Sequence, residues 1–194
     1  IAAPGYPELI SNMVSLNNDR RSTAFVVGDT SMRLAATSTA IQNWASNTAA
    51  DSGNSEDGLV TADPYLGIFY PPGQTNDLSG NTVVVPASHM ILRTIARSDD
   101  QSFPWFAPAG TRRGLVDNAN AIGFINSATG EFQVDNVRES LRDTLYSNRV
   151  NPITFFNGVG LMNYGQKTRA ATTSSLDRIN VARLANYLRS QLQA

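Results

Sequence analysis

The 194 residues carry a formal net charge of -1, with 16% charged residues and no cysteine. This length can bury one good core, and the charge balance argues against a nucleic-acid binder, which needs a cationic surplus to neutralise phosphates. Without cysteine, disulfides and thiolate metal sites are excluded, and no apolar run approaches the roughly 20 residues that cross a bilayer.

Hydrophobic spacing predicts a short helix over Pro7–Leu16, with Leu9, Ile10, Met13 and Val14 on one side. Ser22–Val27 reads as a buried strand ending at Gly28–Asp29, and Ser31–Asn47 as a helix with Leu34, Ile41, Trp44 and Ala45 inward. Asp51–Gly58 is a polar surface loop, Tyr65–Tyr70 a second strand, and Pro71–Asn81 another loop. Pro86 then opens a helix, because its fixed φ and missing amide hydrogen suit a first turn. Ala87, Met90, Ile91, Thr94 and Ile95 make its buried stripe, while His89, Arg93 and Arg97 stand on a different face as a cationic ridge. Asp99, Asp100 and the residue before Pro104 end it. Phe103, Trp105 and Phe106 alternate with Pro104 and Pro108 in a rigid apolar turn. Strand–helix–strand–helix order argues for a parallel α/β arrangement.

Beyond Gly110, Ala121–Asn126 and Glu131–Val134 read as a hairpin around Ala128–Thr129–Gly130. Asn136–Ser147 reads as a helix with Val137, Leu141 and Leu145 inward and a capping-box pair in Asn136 and Glu139. Ile153–Phe156 and Val159–Tyr164 are strands separated by the turn pair Asn157–Gly158. The last helix, Leu176–Leu192, shows an apolar stripe of Val181, Leu184, Ala185, Leu188 and Leu192. Arg183 lies opposite that stripe, and Arg178 and Arg189 flank it. The start at Ile1 and a final helix without a glycine stop read as cuts in a longer protein. There is no internal repeat.

Candidate chemistry is sparse. His89 is the only histidine, so a two-histidine metal site is impossible, and beside Arg93 it reads as a surface or interface side chain. Asp29 follows a buried strand, where α/β enzymes place catalytic carboxylates; a helix cap after Thr30 is the preferred reading. Gly160-x4-Gly165-Gln166-Lys167-Thr168 nearly spells a phosphate-binding loop, but Gln166 stands where the lysine belongs. No cofactor or metal is expected. Lys167 is the only lysine among the basic residues, and arginine is favoured at interfaces. The ridge His89, Arg93 and Arg97, the pair Arg112–Arg113, and Arg178, Arg183 and Arg189 are the candidate contact surfaces.

The run Pro86, Ser88, Ala96, Arg97, Asp99, followed within a few residues by Trp105 and Ala107–Pro108–Ala109–Gly110, resembles the central signature of contractile-tail sheath proteins. Asn151 and Ile153 in Leu145–Ile153, the turn Gly165–Thr168, the helix Arg178–Leu184 and the opening Ala3–Pro4–Gly5 fit the same family. Lys167 and Ala182 stand where arginine is usual there. The resemblance covers nearly the whole chain. It marks Pro86, Asp99, Trp105, Pro108, Gly110, Asn151, Gly165 and Thr168 as structural signature positions.

That resemblance implies an α/β core, a mixed central sheet flanked by helices, running over 1–194 as a single region of a longer chain. Its first part, 1–100, alternates strand and helix, and 101–194 ends in the C-terminal helix. It implies a structural subunit, not an enzyme, that forms hexameric rings stacked as a helix around a tail tube, attached to a baseplate. Contraction then drives the tube through the host envelope. The implied location is the virion tail, assembled in the host bacterial cytoplasm, with no nucleic-acid or membrane partner. The arms that join neighbours lie outside this chain, so it is expected to be monomeric alone. Three rival readings are a sheath of a type VI secretion system or phage-tail-like bacteriocin, an unrelated α/β enzyme using Asp29, and a structural adaptor that forms no polymer.

Overall fold

The structure, a computed structural model, describes residues 1–47 and 56–192. After a 3-10 turn at Pro7–Leu9 come α1 (Ile10–Asp19), β1 (Val26–Asp29), α2 (Ser38–Ser46), β2 (Leu66–Tyr70), β3 (Gly73–Asn76), β4 (Thr82–Val85) and α3 (Ala87–Gln101). They are followed by α4 (Gly110–Arg113), β5 (Ala121–Ile125), β6 (Phe132–Val134), α5 (Glu139–Ser147), β7 (Val150–Phe156), β8 (Gly160–Asn163) and α6 (Ile179–Leu192).

The first sheet has the order β1-β2-β7-β8. β1, β2 and β7 run parallel and β8 turns back antiparallel, so the sheet is mixed, as expected. β1 and β2 are buried along their whole lengths, the condition of parallel strands covered on both faces. Two glycines show what covers them. A Cβ on Gly28 would lie 2.8 Å from Ile68 Cδ1 and 3.1 Å from Ile10 Cδ1, so α1 presses on that face. A Cβ on Gly67 would lie 3.3 Å from Ile179 Cδ1. Successive strand residues face opposite ways, which puts the start of α6 on the other side. One buried cluster runs from Ile10 and Val26 through Trp44, Phe69 and Met90 to Leu145, Ile153 and Ile179, and so draws on both halves of the sequence.

The second sheet was not foreseen. Two antiparallel hairpins give the order β4-β3-β5-β6. β3 falls inside the predicted loop Pro71–Asn81, and the chain enters it across a cis Tyr70–Pro71 peptide. Gly73–Asn76 has no apolar alternation to signal a strand; it is held through backbone pairing to Thr82–Val85. The β5–β6 hairpin and the β7–β8 hairpin lie where the sequence placed them.

Several boundaries move for local reasons. Most of the first predicted strand is lost because Arg21 and Ser22 take left-handed backbone (φ 58° and 54°), and β1 starts only at Val26. α2 starts seven residues after Ser31, where the Thr37 side chain accepts a hydrogen bond from Ala40 N–H. Residues 51–55 of the predicted polar loop lie outside the described residues. α3 runs through Asp99 and Asp100 to Gln101, so the two carboxylates sit inside the helix. Its buried face holds Ser88 and Ser98 besides Ala87, Met90, Ile91 and Thr94.

The predicted capping box of α5 does not form. Val137 has φ 53° and its N–H is bound by Asp135, so the helix begins at Glu139 without a side-chain cap. In α6 the buried positions are Ile179, Ala182 and Asn186. Of the predicted stripe, Val181, Leu184 and Ala185 are half-buried, and its C-terminal end faces outward: Leu188 is 51% and Leu192 87% exposed. Asn186 wins the inner position because its Nδ2 donates to the carbonyls of Ser22 and Ala24, at 2.6 and 3.0 Å.

The second half is tied together at Asn151, which is fully buried in β7. Its Nδ2 donates to Ile68 O at 2.9 Å and to Lys167 O at 2.8 Å, while its Oδ1 accepts from Lys167 N–H at 2.6 Å. The turn after β8 can come this close only because residue 165 is glycine. A Cβ there would lie 2.8 Å from Asn151 Oδ1 and 2.9 Å from Asn151 Cα. Thr168 continues the tie, donating its hydroxyl to Leu176 O at 2.7 Å. Replacing Gly165 by alanine forces backbone apart and should cost about 2 kcal/mol, read as a lowered midpoint in urea unfolding with an unchanged slope.

Candidate functional site

Asp29 ends β1 and is 3% exposed. Its Oδ1 accepts from Ser88 N–H at 2.6 Å, and its Oδ2 accepts from the Ser88 hydroxyl at 2.7 Å and from Gly5 N–H at 2.9 Å. Asp29 therefore caps a helix, but the helix is α3 and not the one expected after Thr30. Negative charge at the first turn meets free N–H groups and the positive end of the helix dipole. Burial lifts the carboxyl above its ordinary range, outweighing the donors that pull it down. Three donors occupy both of its oxygens, and it lines no cavity described for the chain.

The ridge on α3 is not a free cationic face. Arg93 Nε donates to Asp117 Oδ1 at 2.8 Å and Arg97 Nη1 to Asp117 Oδ2 at 3.0 Å. Arg97 also reaches Leu115 O. The hydrogen bond from Arg93, and then the charges of both arginines, hold the Asp117 carboxyl below the usual carboxylate range. His89 remains exposed on this face.

The aromatic turn after α3 stacks on itself and is not fully buried against the chain: Phe103 is 56% and Phe106 38% exposed. Trp105 lies 4.8 Å from Phe103, ring to ring, and 5.3 Å from Tyr187 of α6. Gly110, with φ 74°, makes the left-handed bend that starts α4. Pro108 O accepts from Asn163 Nδ2 at 2.7 Å, which pins this block to β8. Arg113 lies 4.4 Å over the Phe106 ring and donates to the Ser102 hydroxyl. Arg112 is exposed beside it.

The three α6 arginines differ from the expected exposed set. Arg183 is the clearest departure: its side chain is 10% exposed and pairs with Asp99 of α3. It points inward because the buried face of α6 is rotated from the predicted stripe. Arg189 lies 4.8 Å over the Tyr65 ring and donates to Ser22 O. Arg178, just before α6, is exposed and donates to the Tyr146 hydroxyl.

Two residues that the sequence did not single out matter here. Arg169 is buried, and its guanidinium donates to Asn148 O at 2.7 Å, Ala45 O at 2.5 Å and Leu59 O at 3.0 Å. It thus satisfies carbonyls at the ends of α2 and α5. Without a carboxylate partner to betray it, nothing in the local sequence marks it. Asn163, fully buried, is the second. Lys167 sits 4.1 Å from the Tyr146 ring and donates to Tyr146 O; the segment around it joins β8 to a bridge with Arg178, not a strand to a helix. That is not phosphate-loop geometry. Among the described residues no group of three His, Cys, Asp or Glu gathers to hold a metal, and no helix is long and apolar enough to cross a membrane.

No family model matches the chain. A tail sheath protein of Vibrio phage KVP40 is 37% identical over 108 residues, which are 56% of this chain and 14% of that protein. A tail sheath protein of Enterobacteria phage T4 is 35% identical over 108 residues, 56% of this chain and 15% of that protein. The contracted helical sheath of the anti-feeding prophage superposes with a TM-score of 0.63 over 93% of this chain and 40% of that one, at 15% identity, a likeness of fold. The fold is that of contractile sheath proteins. The chain itself is a relative of phage tail sheath proteins, and it spans well under two thirds of the length of the relatives it matches.

Removing the Asp29 carboxylate should be costly. Asp29→Ala leaves buried N–H groups of Ser88 and Gly5 unpaired and should lower stability by about 3 kcal/mol in denaturant unfolding. The two aspartates should also respond to pH with opposite signs. A raised folded value means that the stabilisation from Asp29 protonation is complete below the ordinary 3.8 and is lost as pH rises through the folded value. Asp117 contributes above 3.8 and loses that contribution as pH falls through its lowered value. In an NMR titration Asp29 should ionise above 3.8 and Asp117 below it, and Arg93→Ala should move only Asp117, upward.

Proposed function

We propose that this chain is the core of a phage contractile-tail sheath subunit. In this reading, subunits carrying it polymerise as stacked hexameric rings around a tail tube, attach to a baseplate and contract to drive the tube through the host envelope for genome ejection. The observation that carries the reading is 35 to 37% identity over 108 residues to two phage tail sheath proteins. The sheath fold over 93% of the chain supports it. The phage identities favour a tail sheath over an injection-system sheath, because the likeness to the latter, at 15 to 20%, is one of fold.

The role is structural, without catalysis. Asp29, the carboxylate on which an enzyme reading rested, is consumed as a helix cap, with both oxygens occupied by donors. Contraction then draws on rearranged contacts between rigid subunits, a switch between two packings of one polymer. We assign 1–194 to one region of a longer chain whose arms exchange strands with neighbours, so the region alone is a monomer. Its location is the virion tail, after assembly in the host cytoplasm. His89, Arg112 and Arg178 are the outward-facing candidates for contacts with neighbours or tube. Arg93, Arg97, Arg113, Arg183 and Arg189 first serve internal pairs.

Negative-stain electron microscopy of the longer protein beside this chain tests the assignment. Hollow tubes from the former and isolated particles from the latter are the expected result. Dispersed globules from both, with tail tube added, would sink it. Arg112→Glu combined with Arg178→Glu should shorten or abolish the tubes while leaving the thermal midpoint within about 2 °C, since exposed charges contribute little to stability.

A further inference from the structure

Between α3 and α6 lies a groove of about 330 Å³ whose walls include Phe25, Leu92, Ile95, Pro104 and Tyr187. Asp99 and Arg183 pair at its polar end, so their charges cancel. Yet Asp99 Oδ1, Arg183 Nη1 and Asn186 Oδ1 are buried there with no hydrogen-bond partner among the described residues. Unmet buried polar atoms are costly, and each calls for an explanation. These three atoms lie beneath the groove surface, so what a guest meets is an apolar trough with its charges cancelled, which suits an uncharged apolar side chain.

The chain carries such a guest elsewhere. Leu78, at the tip of the β3–β4 hairpin, is fully exposed. The turn around it is fixed: Asp77 Oδ1 accepts from Ser79 N–H and Asn81 N–H at 2.8 Å each, and Gly80 N–H donates to Asp77 O at 3.0 Å. Asp, Ser and Gly account for that turn, and nothing in its geometry requires a leucine. A knob held on a rigid turn loses little freedom when it docks.

We propose that the hairpin tip of one copy inserts Leu78 into the α3–α6 groove of a neighbouring copy. The two surfaces differ, so the contact is head-to-tail and repeats from copy to copy, as an open helical polymer requires. In choosing a second copy as occupant, the proposal rests on the sheath reading.

This chain contributes no cysteine of its own, so paired cysteines report the contact cleanly. In the longer sheath protein, Leu78→Cys together with Leu92→Cys should give, on oxidation of assembled tubes, a ladder of covalent multimers. Mass spectrometry should find positions 78 and 92 in the linked peptide, and neither single variant should give that pair. Leu78→Ser should raise the concentration for half-maximal assembly about tenfold or more, with the thermal midpoint unchanged because the residue packs on nothing. Tubes that form without the 78–92 link overturn the contact and leave the sheath reading standing. Capture of another protein or another segment by a photoreactive residue at position 92 overturns it as well. A ladder from a protein that forms no tubes upholds the contact and sinks the sheath reading.

Discussion

The buried carboxylate of Asp29 is the constraint on which the rest hangs. It joins three parts of the chain that are remote in sequence: the opening segment through Gly5, the end of β1, and the first turn of α3 through Ser88. A group so deeply buried is tolerable because three donors meet its two oxygens. The direction of α3 follows from that anchor. So do the three ion pairs that α3 makes along its length, two to Asp117 on one side and one to Arg183 of α6 on the other. Ser88 and Asp99 thus belong to one device for orienting a helix.

Arginine has a similar inward use. Of eight cationic residues read as contacts, five are committed within the subunit, to carboxylates, aromatic rings or carbonyls. Arg169 goes further and replaces a cap on two helix ends at once. A planar fork with five donors suits such work better than an ammonium group. The preference for arginine over lysine thus has a structural use inside the chain.

How much of this was legible depended on the kind of signal. α3 was readable because Pro86 marks its start and an apolar spacing of 3.6 marks its face. β2 was readable because a parallel strand covered twice is apolar nearly throughout, whereas β1 was readable only at Val26 and Val27, since it runs on through Gly28 to the buried Asp29. β3 was not, because Gly73–Asn76 is a strand by backbone pairing alone. α6 misled because it has apolar residues on two faces. The outward one, with Leu188 and Leu192, scores better by hydropathy than the inward one, where Asn186 and Arg183 bury polar groups. Asn136 and Glu139 matched a capping pattern, but the left-handed Val137 between them defeats it. The Asp29 cap was legible in kind, as a carboxylate at a helix start, and illegible in partner, since 59 residues separate it from Ser88.

The opening residues have a mechanical consequence. Ile1 donates to Phe25 O and accepts from Val27 N–H, and Gly5 hangs from Asp29, so the first residues lie alongside β1 in parallel. A pull on Ile1 along the strand direction would load these bonds together, in shear, instead of peeling them one at a time. Force entering there would pass straight into the buried centre of the first sheet. The sheet and the residues laid against it would then move as one body under tension, with Ile1 and Gly5 still seated.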